Sequence, residues 1–180
     1  GVPMRGKIAA DERMLEGRAL ARLTDLGWGN TLRELFAPST PDAPAAAPVL
    51  AACVRVLAEW NWDERPAAVV SVPSRRHPLL VVSVARGLAE AGRLPYLGAL
   101  SLASGGPTGT SGGNSAYRLA SVWPAFAVDP NLTDLRAATS GPVLLVDDVA
   151  DSRWTLTVTA RLLRRAGASG VLPFALALRG

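Results

Sequence analysis

The sequence predicts an α/β protein with an open, mostly parallel, twisted sheet and helices on its two faces. Two observations support this prediction. Short apolar runs rich in valine and leucine alternate along the chain with longer segments of helical periodicity, a pattern that implies parallel strands joined by right-handed crossovers. Hydrophobic residues make up 49% of the 180 residues, which is enough for one domain with a buried core.

The N-terminal part of the chain is predicted to be helical. From Asp11 to Leu26, apolar residues recur at helical spacing with charged residues between them, and the glycines that follow would end the helix. Thr31 to Phe36 predicts a short helical turn. The Pro/Ala/Ser stretch APSTPDAPAAAP (37–48) is typical of a linker. We therefore expect a helical segment at 1–37, a linker at 38–48 and an α/β domain at 49–180.

Eight elements are predicted within that domain. Proline at the first turn favours a helix start at Pro78, and Pro124 marks its strand as an edge strand. The helices are expected at Val49–Trp60, Pro78–Ala91 and Trp154–Ala166. The strands are expected at Ala67–Pro73, Leu94–Leu102, Ser121–Val128, Pro142–Asp147 and Val171–Leu178. The glycine-rich segment Ala103–Asn114 is predicted to be a loop that serves a site.

Arginine dominates the charge of the chain. The formal net charge is +4, the isoelectric point is near 10.2, and Lys7 is the single lysine. Arginine suits phosphates and carboxylates, so the composition predicts a polyanionic partner. A coding bias toward arginine explains the same numbers equally well.

Cysteine and histidine are scarce, which limits the chemistry of the chain. Cys53 is the single cysteine and His77 the single histidine, so the sequence excludes an internal disulfide and a Cys/His metal cluster. We interpret both residues as packing residues. No apolar stretch approaches the ~20 residues of a membrane span, and no signal-peptide pattern begins the sequence. The expected location is the cytoplasm, without membrane partners.

Three segments are expected at one rim of the sheet, because ligands of such sheets bind at the carboxyl ends of the strands. They are Ser74–Arg76 after the strand at Ala67–Pro73, the glycine-rich loop, and Asp147–Thr155 after the central strand. Asp147 and Asp148 can accept hydrogen bonds from vicinal hydroxyls or face a hydrated Mg²⁺. Ser152 and Thr155, with backbone N–H groups at a helix start, can hold a phosphate. The alternative is that the aspartates only end a strand and cap a helix.

Four arginines are predicted to gather on the same rim. They are Arg75, Arg76, Arg118 and Arg153. Such a group can bind nucleic acid phosphates. The alternative is that these side chains are only solvated.

Three stretches resemble a known enzyme family. VLLVDDVADSRWT (143–155) resembles the phosphoribosyl pyrophosphate (PRPP) motif of type I phosphoribosyltransferases. VVSVPSRRHPLL is similar to the pyrophosphate loop of the ComF-like members, and NSAYRLASVWPAFAV resembles their flexible loop and the strand after it. The resemblance covers roughly residues 67–178 and implies the type I phosphoribosyltransferase-like fold.

The resemblance also implies roles for individual residues. Asp147 and Asp148 would bind the ribose hydroxyls or Mg²⁺, and Asp151 would be the candidate acid/base. Ser152 and Thr155 would bind the 5′-phosphate. Ser74 and Arg75 would meet the pyrophosphate.

Arg153 departs from the family pattern, which usually has glycine at this place. If the position requires a positive φ, a residue other than glycine costs about 1–2 kcal/mol. The guanidinium either pairs with a phosphate or fills the phosphate pocket. We expect a ligand site with little or no transferase activity. The alternative is an active transferase that moves ribose 5-phosphate from Mg²⁺–PRPP to a base.

The N-terminal sequence carries a second resemblance. RGKIAADERMLEGRALARLTDLGWGNTLRELF resembles the segment before the C-terminal phosphoribosyltransferase-like domain of actinobacterial RecQ-family ATP-dependent DNA helicases. The implied partners are the helicase portion of the same polypeptide and DNA. The implied role is in DNA repair or recombination, at the nucleoid when DNA is bound. A purely structural domain that docks on its helicase is a further alternative.

Overall fold

The computed structural model describes residues 1–4, 15–102, 126–127, 140–151 and 154–179. These residues form eight strands and four helices. In chain order the elements are β1 (Val2–Met4), β2 (Gly17–Arg22), α1 (Trp28–Leu35), α2 (Ala47–Ala58), β3 (Ala68–Ser71), α3 (Pro78–Gly92), β4 (Tyr96–Ala99), β5 (Ser101–Leu102), β6 (Phe126–Ala127), β7 (Val143–Ala150), α4 (Trp154–Arg165) and β8 (Val171–Leu178).

Six strands form one sheet in the order β1-β2-β8-β7-β3-β4. The pairs β2–β8, β8–β7, β7–β3 and β3–β4 are parallel, and β1 is antiparallel to β2. β5 and β6 form a separate antiparallel pair. The predicted α/β class with a mostly parallel sheet and flanking helices is confirmed.

Helices cover the two faces of the sheet. Helix α4 packs on one face, and α1, α2 and α3 pack on the other. Successive residues of β7 serve the two cores in turn: Val143 and Leu145 lie in the α4 core, whereas Leu144 and Val146 lie in the core with α3. This alternation follows from the two-residue period of a strand, and it explains why the whole apolar run is buried.

Helix α3 has well-defined ends. Pro78 begins it, as predicted, because a proline loses no helical hydrogen bond at that position. After Gly92, Arg93 adopts a left-handed conformation with φ 53°, and the backbone N–H of Leu94 donates to the carbonyl of Ala89. Helix α3 therefore runs from the carboxyl end of β3 back to the end of the sheet at which β3 and β4 begin.

The helix predicted at 11–26 is wrong where the structure describes it. Gly17–Arg22 is strand β2, which lies between β1 and β8. The alanine, leucine and arginine of this stretch favour a helix intrinsically, but hydrogen bonds to two neighbouring strands decide its conformation. Residues 11–14 of the prediction lie outside the described residues. Helix α1 confirms the helical turn predicted from Thr31.

Most other predicted elements are confirmed with small shifts. Helices α2, α3 and α4 and strands β3 and β8 lie where they were expected. The strand predicted at 94–102 is interrupted at Leu100, which separates β4 from β5. The predicted strand at 121–128 is described only as β6, and the glycine-rich segment 103–114 lies outside the described residues. Strand β7 continues three residues beyond the predicted end at Asp147.

The predicted linker is partly structured. Residues 37–46 form no helix or strand, and α2 begins at Ala47, inside the stretch assigned as linker. Asp42 nevertheless binds the first turn of α3, and the N–H of Ala45 donates to Ser83 Oγ. The division into 1–37, 38–48 and 49–180 stays a prediction, with β2 in the same sheet as β8. Among the described residues, no helix has the length and apolar character to cross a membrane.

Candidate functional site

A cleft opens at the carboxyl ends of β3 and β7. Strand β3 continues into α3 on one face of the sheet and on to β4, whereas β7 continues into α4 on the other face and on to β8. The chain therefore turns in opposite directions after these two neighbouring strands. This switch in direction leaves a crevice, the usual ligand position in open α/β sheets. The cleft has a volume of about 370 Å³. Its lining residues are Phe36, Val72, Pro73, Ser74, Arg75, Arg76, His77, Asp147, Asp148, Val149, Asp151, Thr155 and Arg179.

Asp148 connects the two sides of the cleft. Its Oδ2 atom accepts a hydrogen bond from Ser74 Oγ at 2.8 Å and lies 3.1 Å from His77 Nδ1. Its Oδ1 atom accepts from the backbone N–H of Val149 at 2.6 Å. The loop after β3 is thus attached to the end of β7 by side-chain hydrogen bonds.

Ser74 and His77 are arranged as a unit around that carboxylate. The backbone N–H of His77 donates to Ser74 Oγ at 2.9 Å, so the hydroxyl donates its own proton to Asp148. With Asp148 ionised, His77 Nδ1 carries the proton, because a carboxylate only accepts. The serine and the imidazole ring both bind Asp148 and not each other, so this is not a Ser-His-Asp nucleophile arrangement.

Asp147, the residue before Asp148 in β7, has a different environment. It is only 4% exposed, and its Oδ1 atom accepts from the N–H of Asp148 at 2.9 Å. Burial, and then the neighbouring charge of Asp148, raise the pKa of Asp147 well above its usual value. Burial therefore stabilises the neutral acid relative to the carboxylate at this position.

Basic and polar side chains complete the rim. Arg75, Arg76 and Arg179 are exposed and line the cleft, as does the exposed Asp151. Thr155 lines it from the start of α4 and is half-buried. The structure thus brings together seven predicted site residues: Ser74, Arg75, Arg76, Asp147, Asp148, Asp151 and Thr155. Arg118, Ser152 and Arg153 lie outside the described residues, and the individual roles stay predictions.

Six lining residues were not predicted for the site: Val72, Pro73 and Val149, and the three with aromatic or basic side chains, His77, Arg179 and Phe36. His77, interpreted from the sequence as a packing residue, does pack edge-on against Phe36 with ring centroids 5.0 Å apart, but it also binds Asp148. No sequence signal links His77 to a carboxylate that lies 71 positions later. Arg179 follows β8, and the rule that ligands bind at the carboxyl ends of strands could have found it. Phe36 belongs to a segment assigned outside the domain.

A hydrated Mg²⁺ that arrives with a phosphorylated ligand needs only one or two carboxylates. Asp148 could face such an ion, because its Oδ1 atom accepts a single hydrogen bond, whereas burial and a raised pKa make Asp147 a weaker direct ligand. Within the described part of the chain, no group of three or more His, Cys, Asp or Glu residues is placed to hold a metal ion.

The chain was compared with known proteins. No protein-family model matches the sequence, and no curated protein matches it. A glutamine PRPP amidotransferase from B. subtilis, complexed with ADP and GMP, aligns with TM-score 0.44 and 21% identity over 71% of this chain, which spans only 25% of that protein. A purine phosphoribosyltransferase from Pyrococcus horikoshii Ot3 aligns with TM-score 0.43 and 18% identity, over 73% of this chain and 71% of that one.

Proposed function

We propose that the cleft binds a phosphorylated ribose and that the protein transfers it slowly or not at all. The observation that carries the proposal is the hydrogen bond between Ser74 and Asp148, which joins the two segments with phosphoribosyltransferase-like sequences in one cleft. Three arginines on the rim supply positive charge for a phosphate. The carboxylate supplies acceptors for sugar hydroxyls.

Slow transfer follows from the state of the carboxylates. Asp148 Oδ2 can accept hydrogen bonds from ribose hydroxyls only when it releases Ser74 or His77, which adds a cost to binding. The raised pKa of Asp147 makes its carboxyl group a weaker ligand for Mg²⁺. Arg153, at the position where the family usually has glycine, also argues against fast catalysis.

Calorimetry with PRPP tests this proposal, in the presence and absence of Mg²⁺. We expect saturable binding that weakens at least about tenfold in Asp148→Asn, because the amide loses the ionic acceptor. Asp63→Asn is the matched control, because Asp63 is exposed and does not line the cleft. Equal affinity in the two variants, or no binding to the unmodified protein, would contradict the proposal.

As a second function we propose an accessory domain of a RecQ-type helicase that binds DNA phosphates. The exposed Arg75, Arg76 and Arg179 and the net charge of +4 support it, together with the N-terminal resemblance. We expect forked-DNA affinity to fall in Arg75→Ala/Arg76→Ala, with a salt slope reduced by about one per lost phosphate contact. Arg55→Ala, an exposed arginine of α2 outside the cleft, is the control. DNA affinity that is equal in all three proteins would refute this function.

The alternative to slow transfer is an active PRPP-dependent transferase in which Asp151 serves as acid/base. Its exposed position in the cleft, on the same side as Thr155, favours this alternative. Incubation with Mg²⁺–PRPP and a series of bases would then release pyrophosphate. An Asp147→Asn/Asp148→Asn variant should lose this activity. An absence of PRPP consumption with every base would exclude the transferase.

A further inference from the structure

A second cavity lies at the other end of the sheet from the cleft, where β3 and β4 begin. It is formed where the last turns of α2 and α3 meet the segment that enters β3, and its volume is about 250 Å³. The lining residues are Val54, Leu57, Ala58, Trp62, Arg65, Pro66, Leu88, Ala91, Gly92 and Leu94. No function proposed above uses this cavity.

One wall of the cavity is held in place by aromatic stacking. The ring of Trp62 stacks on Trp60 with centroids 4.3 Å apart and an interplanar angle of 20°. Trp60 is itself buried, and the guanidinium carbon of Arg18 lies 5.4 Å from its ring centroid. The fully buried Leu88 forms another wall from α3. A ligand would therefore enter a cavity whose walls are already ordered, which lowers the entropic cost of binding.

The lining has one charged group among the described residues. Arg65 is exposed, and its Nη2 atom donates to the carbonyl oxygen of Gly92 at 2.8 Å. This bond places the guanidinium at the cavity. A guanidinium has five N–H donors, so the bond to Gly92 leaves donors for an anion.

We propose that this cavity binds a small apolar carboxylate. The aliphatic and tryptophan walls select an apolar body, and Arg65 selects a carboxylate at its end. The volume of about 250 Å³ lies just below the usual range of small-molecule pockets, so the ligand is small, about the size of one ring with a carboxylate arm. Helix α3 has 15 residues, so the cavity lies about 22 Å along its axis from the cleft. Binding here is independent of the function proposed for the cleft.

Phenylacetate is a suitable probe, with phenylacetamide as its uncharged counterpart. Calorimetry on the unmodified chain should give saturable binding of phenylacetate and at least about tenfold weaker binding of phenylacetamide. Arg65→Gln should weaken phenylacetate binding by a similar factor, whereas Arg65→Lys should retain part of the affinity. Arg55→Gln removes the same charge from an exposed site outside the cavity and should have no effect.

Filling the cavity provides a second test that does not touch the charge. Ala91 is an exposed lining residue of α3, so leucine is tolerated by the helix and projects into the space that the ligand needs. Ala91→Leu should abolish phenylacetate binding. Its urea unfolding should still show a cooperative transition, which verifies that the variant is folded. Three results would overturn the proposal: equal affinity for acid and amide, unchanged affinity in Arg65→Gln, or no binding with a Kd below about 1 mM.

Discussion

Removing the carboxylate of Asp42 should destabilise the fold through helix α3. Asp42 lies in the irregular segment before α2, and its Oδ2 and Oδ1 atoms accept from the N–H groups of Leu79 (2.8 Å) and Leu80 (3.2 Å). These N–H groups belong to the first turn of α3 and have no partner within the helix. Asp42 thus caps α3 from a distant part of the sequence.

The expected magnitude follows from helix capping. Loss of a capping side chain costs about 0.5–2 kcal/mol, and the charge at the positive helix end contributes part of that sum. For Asp42→Ala we expect about 1–2 kcal/mol, which lowers Tm by roughly 2–8 °C in a chain of this size. Asp42→Asn keeps one acceptor and should lose about half as much.

Urea unfolding followed by circular dichroism measures the effect as a shift of the midpoint at constant slope. Asp63→Ala is the control, since Asp63 is exposed and lies in the segment between α2 and β3. An unchanged midpoint in Asp42→Ala would refute the reasoning. The hydrogen bonds of Asp42 would then contribute no stability. Of the contacts described above, only the hydrogen bond between Ala45 and Ser83 would hold the segment before α2 on α3.

Three further outcomes are expected. Because the pKa of Asp147 is raised in the folded protein, the stability contributed by its neutral form is present at acid pH and is lost as pH rises from the unfolded value through the folded one. The variant Asp147→Asn should lack this loss. The difference between its urea midpoint and that of the wild type should therefore increase from acid to neutral pH. The fully buried Cys53, whose pKa burial raises to about 12, should react with iodoacetamide only in denaturant, and rapid labelling of the native protein would contradict its described burial. Phe174→Ala should cost about 3–5 kcal/mol, measured by the same urea titration, because Phe174 is fully buried in β8; a loss below about 1 kcal/mol would show that the core relaxes around the cavity.

The sequence predicted the parts of the fold that local patterns determine. The buried runs of β3, β7 and β8 were visible because strands covered on both faces are continuously apolar, and α3 was visible from Pro78 to its terminal glycine. Strand β2 was not predicted, since its composition favours a helix and its strand partners lie far away in the sequence.

The part of the site that was predicted also depends on local patterns. The carboxyl-end rule located Ser74 and Asp148, because each follows an apolar run that is recognisable by itself. The contact of His77 with Asp148 depends on how β3 and β7 pair, which no local pattern specifies. The burial of Asp147 likewise depends on the continuation of β7 to Ala150, beside β8.

The position of β8 has a consequence for biosynthesis. β8 lies between β2 and β7, and Ala19 of β2 is opposite Ala175 of β8. Strand β2 is therefore synthesised long before β8 and must wait for it before it finds its parallel neighbour. Closing so long a loop is slow, because its entropic cost precedes the contacts that compensate for it. We expect the nascent chain to expose the edge of β2 until translation has passed Leu178, the period in which a chaperone would protect it from aggregation.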